Sequence, residues 1–216
     1  MAQLILGRRE RAQWREFKAA VRRRSEWLIG RLVIKDAVRL LIRERLSLAV
    51  CPADIEVIPD EHGRPCVEGA WAARLGSPLK VSLSHSGGVA AALVSDGGAL
   101  GVGLDIEDSG RRTGFLEKAA FTDAERGLLE TLAGSGGGDW MLRFWCAKEA
   151  ASKAIGRGMN GNPRKFVIEQ VDAGTGGMEV SLNGHGDHPS PATLRIPART
   201  SRDGTLVVAT ALHEQT

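Results

Sequence analysis

The sequence of 216 residues contains no tyrosine, and aromatic residues make up only 5% of it. This argues against a module that stacks nucleic-acid bases on aromatic side chains. Its three cysteines, Cys51, Cys66 and Cys146, form no CxxC pair, so we expect reduced thiols and neither a zinc site nor a disulfide framework. No apolar run approaches the roughly 20 residues needed to cross a bilayer, and the apolar start is too short for a secretory signal. We therefore expect a cytoplasmic protein without a membrane partner.

Positive charge is concentrated in one part of the chain. Between Arg8 and Arg45 there are thirteen lysines or arginines and five acidic residues, a local net charge of +8, whereas the whole chain carries +3. Such a segment suits an anionic partner, which could be a nucleic acid, a phosphorylated small molecule or an acidic protein. From charge alone, a solvated helix face is the better interpretation.

Hydrophobic periodicity and turn residues predict two successive groups of helices and strands. A basic helix or arm over 8–24 is followed by a helix that restarts near Ser25 and ends at Cys51-Pro52. An antiparallel meander follows, with predicted strands at 54–59, 79–86, 88–95 and 100–107. The second group has helices over 115–132 and 139–156, then four strands, FVIEQV, MEVSLN, ATLRIPA and GTLVVATAL. Asp139 is a plausible N-cap of the second helix, and Gly156 or Gly158 is its C-terminal stop.

The repeated order of elements predicts an α+β fold made of two similar halves. The boundary is expected near residues 96–112, where the strands of the first group give way to helices. We place an N-terminal subdomain at residues 1–100 and a C-terminal subdomain at residues 101–216.

Two carboxylates lie close together in the segment GVGLDIED. Because side chains alternate along a strand, Asp105 and Glu107 point to the same face. Neighbouring carboxylates raise each other's pKa unless a cation lies between them, and Mg²⁺ commonly binds one or two carboxylates together with substrate phosphate oxygens. A polar strand end in water explains this short motif equally well, and from the motif alone it is the better explanation.

A second charged pair lies in WCAKEAASK, where Glu149 and Lys153 are one helical turn apart. The ordinary explanation is a surface salt bridge of roughly 0.2–0.5 kcal/mol. Trp145 and Ser152 lie on the same predicted face, however, which puts this pair near a buried border where ionised groups need partners.

The segment SLSHSGG offers groups that could bind a phosphate. A strand that ends in Ser84, His85, Ser86 and two glycines can present hydroxyls, an imidazole and backbone N–H groups. A simple Ser/Gly hairpin turn is the alternative. The absence of a GxSxG elbow argues against a nucleophilic role for either serine.

Taken in order, SLSHSGG, GVGLDIED, FTDAE and FWCAKEAASKAIGRG resemble the 4'-phosphopantetheinyl transferases of the type that activates peptide and polyketide synthases. The family signatures (V/I)G(V/I/L)D(I/V)E and (F/W)xxKE(A/S)xxK are both intact and suitably spaced. HGRP at 62–65 matches the family's G-(K/R)-P element, and residues 23–39 resemble its N-terminal helix. The resemblance runs from about Arg22 to the last strand. The segment before it is shorter than is usual in the family, which fits either a trimmed protein or a domain of a larger synthase.

The resemblance implies two similar α/β subdomains related by pseudo-twofold symmetry, with the active-site cleft between them. It implies transfer of 4'-phosphopantetheine from coenzyme A to a serine of an apo acyl or peptidyl carrier protein, with release of adenosine 3',5'-bisphosphate. Coenzyme A is then the co-substrate and Mg²⁺ the cofactor, with Mn²⁺ as the alternative ion. Two like halves within one chain also lead us to expect a monomer.

The same resemblance assigns the site residues. The implied metal ligands are Asp105, Glu107 and Glu149. The implied contacts to the coenzyme A phosphates are Ser84, His85, Arg64 and Lys153, and those to the adenosine 3'-phosphate are Arg23 and Arg31. Glu149 is the expected general base, directly or through a water, while Lys153 and His85 neutralise the oxygens that gain charge. Glu125 of FTDAE is either structural or part of the base network.

The carrier protein is expected to dock beside the cleft, near the basic N-terminal region, with Phe115, Leu116 and Phe121 as candidate apolar contacts. Two other functions stay open. A Mg²⁺-dependent phosphohydrolase or nuclease accounts for the acidic residues but not for SLSHS or for the position of Lys153. A nucleic-acid-binding module accounts for the basic segment but lacks stacking aromatics.

Overall fold

The structure is a computed structural model that describes residues 2–110, 119–134, 139–182 and 194–214. The chain divides into two compact units, Met1–Ala99 and Leu100–Thr216, and each has a hydrophobic core of its own. Both units combine helices with antiparallel strands, which confirms the predicted α+β class. The pseudo-twofold relation stays a prediction. Within the described ranges, no helix combines the length and the apolar character that crossing a membrane requires.

The first unit begins with three helices. They are α1 (Ala2–Ile5), α2 (Arg8–Glu16) and α3 (Val21–Leu46). The predicted restart at Ser25 is wrong, because α3 begins four residues earlier, after Ala20, without a side-chain cap. It also ends before Cys51-Pro52, at Ser47, whose backbone is left-handed with φ 51°. Its core face repeats at helical intervals through Gly30, Ile34, Val38 and Ile42, all buried.

Two antiparallel hairpins complete the first unit. One pairs β1 (Glu56–Pro59) with β2 (Pro65–Glu68), and the other pairs β3 (Lys80–Ser86) with β4 (Val89–Ser95). The sequence predicted no strand where β2 lies, because four residues that begin with proline are too few to show alternation. The core of this unit joins α3 to Ile55, Val57, Trp71 and Leu79.

The second unit combines helices with a five-stranded sheet. The described elements are β5 (Ala99–Asp108), α4 (Asp123–Ala133), α5 (Trp140–Ile155), β6 (Phe166–Asp172), β7 (Gly177–Leu182), β8 (Leu194–Asp203) and β9 (Leu206–Glu214). The strand order is β5-β9-β8-β7-β6. The predicted meander is therefore wrong for β5, which is an edge strand beside the last strand of the chain. The predicted helix over 139–156 is confirmed, and Gly156 ends it in a left-handed conformation.

A glutamate and a lysine are buried together in the second unit. Lys148 of α5 donates to Glu125 of α4 at 3.0 Å and to the Ala120 carbonyl oxygen at 2.7 Å. The Glu125 carboxylate also accepts from the backbone N–H groups of Thr122 at 2.8 Å and Ile168 at 2.9 Å. Neither charged side chain has exposed surface. The pair ties the start of α4 to α5 and to β6.

The first unit holds a glutamate–lysine pair with the same kinds of partner. Lys35 of α3 pairs with Glu10 of α2 and donates to the Ile5 carbonyl oxygen at 2.8 Å. The Glu10 carboxylate accepts from the backbone N–H groups of Gly7 at 2.8 Å and Val57 at 3.2 Å. Both side chains are fully buried. Here too the pair ties a helix start to the next helix and to a strand.

The two networks match part by part. In each, the glutamate is the third residue of its helix and accepts from the N–H of the N-cap residue. The lysine comes from the next helix and donates to the carbonyl two residues before that cap. The strand that donates to the glutamate follows a proline-led 3-10 turn, Pro52–Asp54 in the first unit and Pro163–Lys165 in the second. No residue-level repeat is visible in the sequence.

Candidate functional site

Strand β5 lies directly on the backbone of α5. A Cβ atom at Gly103 would fall well inside van der Waals contact of the Ala150 carbonyl oxygen, and one at Gly101 would do the same at Ala154. The helix presents small residues here, since Ala150 and Ala154 are buried alanines. Because the two glycines have no Cβ atom, the backbone of β5 can lie closer to the backbone of α5 than a strand with side chains at these positions could.

This approach brings the two charged segments of the sequence into direct contact. Lys153, in the last turn of α5, donates to Asp105 Oδ1 at 2.8 Å and to the Leu104 carbonyl oxygen at 2.9 Å. The Asp105 side chain is 8% exposed and that of Lys153 is 29% exposed. Lys153 thus joins the helix to the strand through its ion pair with Asp105.

The carboxylates predicted to bind a metal do not form a ligand set in this conformation. Asp105 is buried, whereas Glu107 and Glu149 are partly exposed. Among the described residues, which include all three, no group of three or more His, Cys, Asp or Glu side chains is arranged to hold a metal ion. The positive charge that Asp105 contacts is the Lys153 ammonium. The arrangement thus does not fit a bound metal without a rearrangement of side chains.

A separate cavity of about 470 Å³ lies in the first unit. Its lining consists of Arg22, Ser25, Glu26 and Ile29 of α3 and residues 85–90 of the β3–β4 hairpin. Gly87 and Gly88 form the turn of this hairpin with φ 60° and 82°, as glycines readily do. Among the predicted phosphate ligands, His85 lines this cavity, and its side chain is exposed.

Gly30 explains how His85 lies so close to α3. A Cβ atom there would meet Leu83 Cδ2 at 2.9 Å and His85 Nε2 at 3.3 Å. Glycine has a low helix propensity, but at position 30 of α3 the missing side chain leaves space for Leu83 and His85 of β3. Ser84 alternates to the other face of β3 and is buried, so the structure does not bring it to the cavity beside His85.

Arg31 is engaged within the first unit. Its guanidinium lies 3.2 Å from the Trp27 ring centroid, its Nε is 3.5 Å from Glu10 Oε1, and its Nη2 donates to Gln13 at 3.3 Å. Burial lowers the pKa of Arg31 to about 10, against the opposing effect of the Glu10 charge. Arg31 thus contributes positive charge beside the buried Glu10 carboxylate. Arg23, in contrast, is exposed on α3. A role for either at a 3'-phosphate stays a prediction.

Arg64 closes the β1–β2 hairpin. Its Nε donates to Asp60 Oδ2 at 2.6 Å, and its backbone N–H donates to Asp60 Oδ1 at 2.9 Å. About half of the Arg64 side chain is exposed, at 49%. To bind a phosphate, the Arg64 guanidinium must either use its remaining N–H donors while it stays paired with Asp60, or break its hydrogen bond to Asp60.

Sequence reasoning missed three features that organise these residues: the Glu10–Lys35 pair, the burial of Lys148 and the close packing at Gly101 and Gly103. Glu125 was predicted as structural or as part of a base network, and it is fully buried against Lys148. Phe121 is also fully buried and packs edge-on against Phe144, so it offers no surface contact to a carrier. Phe115 and Leu116 lie outside the described residues.

Comparisons with known proteins converge on one family. The family model of the 4'-phosphopantetheinyl transferase superfamily matches residues 101–206. A holo-[acyl-carrier-protein] synthase of Geobacillus kaustophilus (strain HTA426) is 37% identical over 90 residues, which cover 42% of this chain and 66% of that protein. The 4'-phosphopantetheinyl transferase AcpT of Salmonella typhi is 31% identical over 134 residues, which cover 62% of this chain and 60% of that protein.

The chain spans less than two thirds of the length of these two relatives. A crystal structure of a holo-(acyl-carrier-protein) synthase from Bacillus anthracis str. Ames, in complex with CoA (3',5'-ADP), is 23% identical. It matches with a TM-score of 0.37 over 55% of this chain and 99% of the other, a value too low to establish a shared overall fold. The matched segment 101–206 contains most of β5 and all of α5, with Asp105, Glu149 and Lys153. Residues 101–206 of this chain thus match the 4'-phosphopantetheinyl transferase superfamily, and the two similar sequences carry names from the same superfamily.

Proposed function

We propose that this protein transfers 4'-phosphopantetheine from coenzyme A to a serine of an apo acyl or peptidyl carrier protein. The observation that carries the proposal is the contact between the two signature segments, in which Lys153 of α5 holds Asp105 of β5. These segments are distant in sequence. Gly101 and Gly103 of the first segment allow β5 to pack directly on the backbone of α5, which brings the two segments together. The names of the sequence relatives support the same reaction.

The chemistry is a phosphoryl-type displacement. The carrier serine oxygen bonds to the β-phosphorus of coenzyme A, the bond to the adenosine 3',5'-bisphosphate oxygen breaks, and the serine proton passes to a base. Glu149 is our proposed base, since its side chain is partly exposed on α5. Lys153 and His85 are proposed to neutralise the phosphate oxygens, because this reaction depends on charge stabilisation and alignment.

Asp105, Glu107 and Glu149 remain our proposed ligands for Mg²⁺ or Mn²⁺. An ion held by these residues would supply positive charge to the diphosphate oxygens. For the coenzyme A phosphates we propose Arg64 and Ser84 as further contacts.

The matching glutamate–lysine networks support a further part of the proposal, that the chain consists of two like α+β subdomains, 1–100 and 101–216. The same five partners recur in each unit, namely a cap N–H, a carbonyl, a strand N–H, a glutamate and a lysine. Burying an ion pair carries a desolvation cost that only well-placed hydrogen bonds offset, so the recurrence of the same partners in both units supports their likeness.

The direct test is to incubate the protein with coenzyme A, Mg²⁺ and apo carrier proteins and to weigh the carriers by mass spectrometry. The expected result is a gain of one phosphopantetheine on a carrier. Asp105→Ala and Glu149→Ala are each expected to lower the rate by at least about 100-fold, a usual effect of removing a group that stabilises developing charge. Glu130→Ala, which removes an exposed carboxylate of α4, should leave the rate unchanged. No gain on any of several carriers would refute the transfer, and full activity in both variants would refute the site assignment.

Arg23 gives a second prediction, on the adenosine 3'-phosphate. Arg23→Ala is expected to weaken coenzyme A binding by about tenfold but to leave dephospho-coenzyme A nearly unaffected, because only the former carries that phosphate. Isothermal titration with both ligands measures the difference. Arg43→Ala removes an exposed charge from the same helix and serves as the control. Equal losses for the two ligands would exclude Arg23 from that contact.

A further inference from the structure

In the described part of the first unit, strand β4 has one unpaired edge. It forms a two-stranded sheet with β3, and no other strand within the described ranges pairs with it. In the second unit, β9 lies against α5 as β4 lies against α3, and the corresponding edge of β9 is occupied by β5. The likeness of the two units therefore indicates that a further strand fits beside β4.

The geometry of the β3–β4 hairpin shows which backbone groups face that edge. Gly87 and Gly88 are the central residues of a two-residue turn, so Ser86 and Val89 form the hydrogen-bonded pair that closes it. Hydrogen-bonded and non-hydrogen-bonded pairs then alternate along the ladder. Every second residue of β4 thus points its N–H and C=O groups away from β3, to the unpaired edge. These residues are Ala90, Ala92 and Val94.

The unpaired edge of β4 lacks the features that keep exposed edges from pairing with other molecules. Such edges are commonly protected by charged residues, proline or a bulge. The β4 sequence VAAALVS has no charge and no proline, its register with β3 is regular, and all seven residues are at least partly exposed. The edge strand β6, in contrast, carries Glu169 and Asp172 and has a register shift.

The helix beside this edge indicates the chemistry of the strand that fits. When the buried Lys35 is matched to Lys148, Leu40 of α3 takes the position of Lys153 of α5, which pairs with Asp105 of β5. Leu40 is 58% exposed, so an apolar side chain is left uncovered where the further strand would lie. An apolar residue in place of a lysine suits an uncharged strand, such as β4 itself, rather than one that carries a carboxylate.

We propose that β4 pairs with β4 of a second copy of this chain, in antiparallel orientation about a two-fold axis at Ala92. In this register Ala92 faces the partner's Ala92, and Ala90 faces the partner's Val94, so the outward N–H and C=O groups of both edges find partners. No charged residues oppose each other across the contact. The result is a continuous sheet of order β3-β4-β4-β3. It differs from the monomer expected from two like halves, and it does not depend on the proposed reaction.

Sedimentation velocity of the whole chain tests the dimer. At about 0.1 mM, where a complex with a micromolar dissociation constant is largely formed, we expect a species of twice the chain mass of 23.1 kDa. Ala92→Pro removes an N–H that points to the unpaired edge but leaves the ladder to β3 intact. It is expected to weaken the dimer at least about tenfold. Val21→Pro, at the exposed first position of α3 where proline is tolerated, should leave the dimer unchanged.

Amide hydrogen exchange of the wild type gives a second readout that needs no variant. The N–H groups of Ala91 and Leu93 face β3 and serve as internal controls. Those of Ala92 and Val94 are expected to exchange slowly in concentrated protein and to lose at least about tenfold in protection on dilution. A monomer at about 0.1 mM, or larger aggregates without a defined dimer, would overturn the proposal. Protection of Ala92 that does not change on dilution would overturn it as well, because the edge would then be covered within one chain.

Discussion

Replacement of Gly103 by alanine is expected to lower the free energy of unfolding by about 3 kcal/mol or more, at the upper end of what overpacking costs. The new Cβ atom would overlap the Ala150 carbonyl oxygen. A backbone oxygen within a helix cannot rotate aside as a side chain can, so β5 and α5 must separate. For a chain of this size, the loss corresponds to a decrease in Tm of roughly 6–12 °C, which thermal unfolding followed by circular dichroism measures.

The same substitution at Gly127 provides a matched control. Gly127 lies within α4, and no atom lies within 4 Å of an added Cβ. Alanine should therefore stabilise the helix by about 1 kcal/mol through its higher propensity. An equal effect at both positions would show that Gly103 has no packing role.

The sequence predicted which residues form the site better than it predicted how β5 and α5 pack against each other. The segments GVGLDIED and WCAKEAASK predicted that Asp105, Glu149 and Lys153 belong together, and the structure brings Lys153 to Asp105. The contact between Lys153 and Asp105 depends on how β5 lies against α5, which helical spacing does not encode. Glycines at alternate positions of a strand, opposite a helix rich in alanine, were the available signal for that close approach.

Local sequence patterns also failed to predict ion pairs between residues distant in sequence and strands of only a few residues. α5 was predicted well because its apolar pattern is long and its end is marked by Gly156. β2 has only four residues, too few for a period-2 pattern to predict a strand. Glu10 and Lys35 looked like part of a solvated basic face, since nothing in a list of charges indicates which of them is buried. The local signal was a glutamate at the third position of a helix, which can accept a hydrogen bond from the N-cap backbone N–H. Both Glu10 and Glu125 hold that position.

Replacement of Glu125 by glutamine is expected to cost about 3–5 kcal/mol of stability, because it leaves the Lys148 ammonium buried without a countercharge. Both side chains are fully buried, so water cannot take the place of the lost carboxylate. Thermal and urea unfolding measure the loss. The double variant Glu125→Gln/Lys148→Met removes the stranded charge and should recover most of it. If the double variant were no more stable than Glu125→Gln, the cost would come from the other hydrogen bonds of Glu125.

The pH dependence separates these causes further. Burial lowers the pKa of Lys148 below its ordinary value, and the Glu125 charge opposes this shift. Without Glu125 the folded-state pKa falls further, so over the interval between it and the ordinary value near 10.5 the unfolded chain binds more protons. Stability relative to the wild type should therefore rise with pH for Glu125→Gln, as Lys148 loses its proton in the folded state. A deficit that does not change between neutral and alkaline pH would contradict a stranded ammonium and indicate that lost backbone hydrogen bonds dominate.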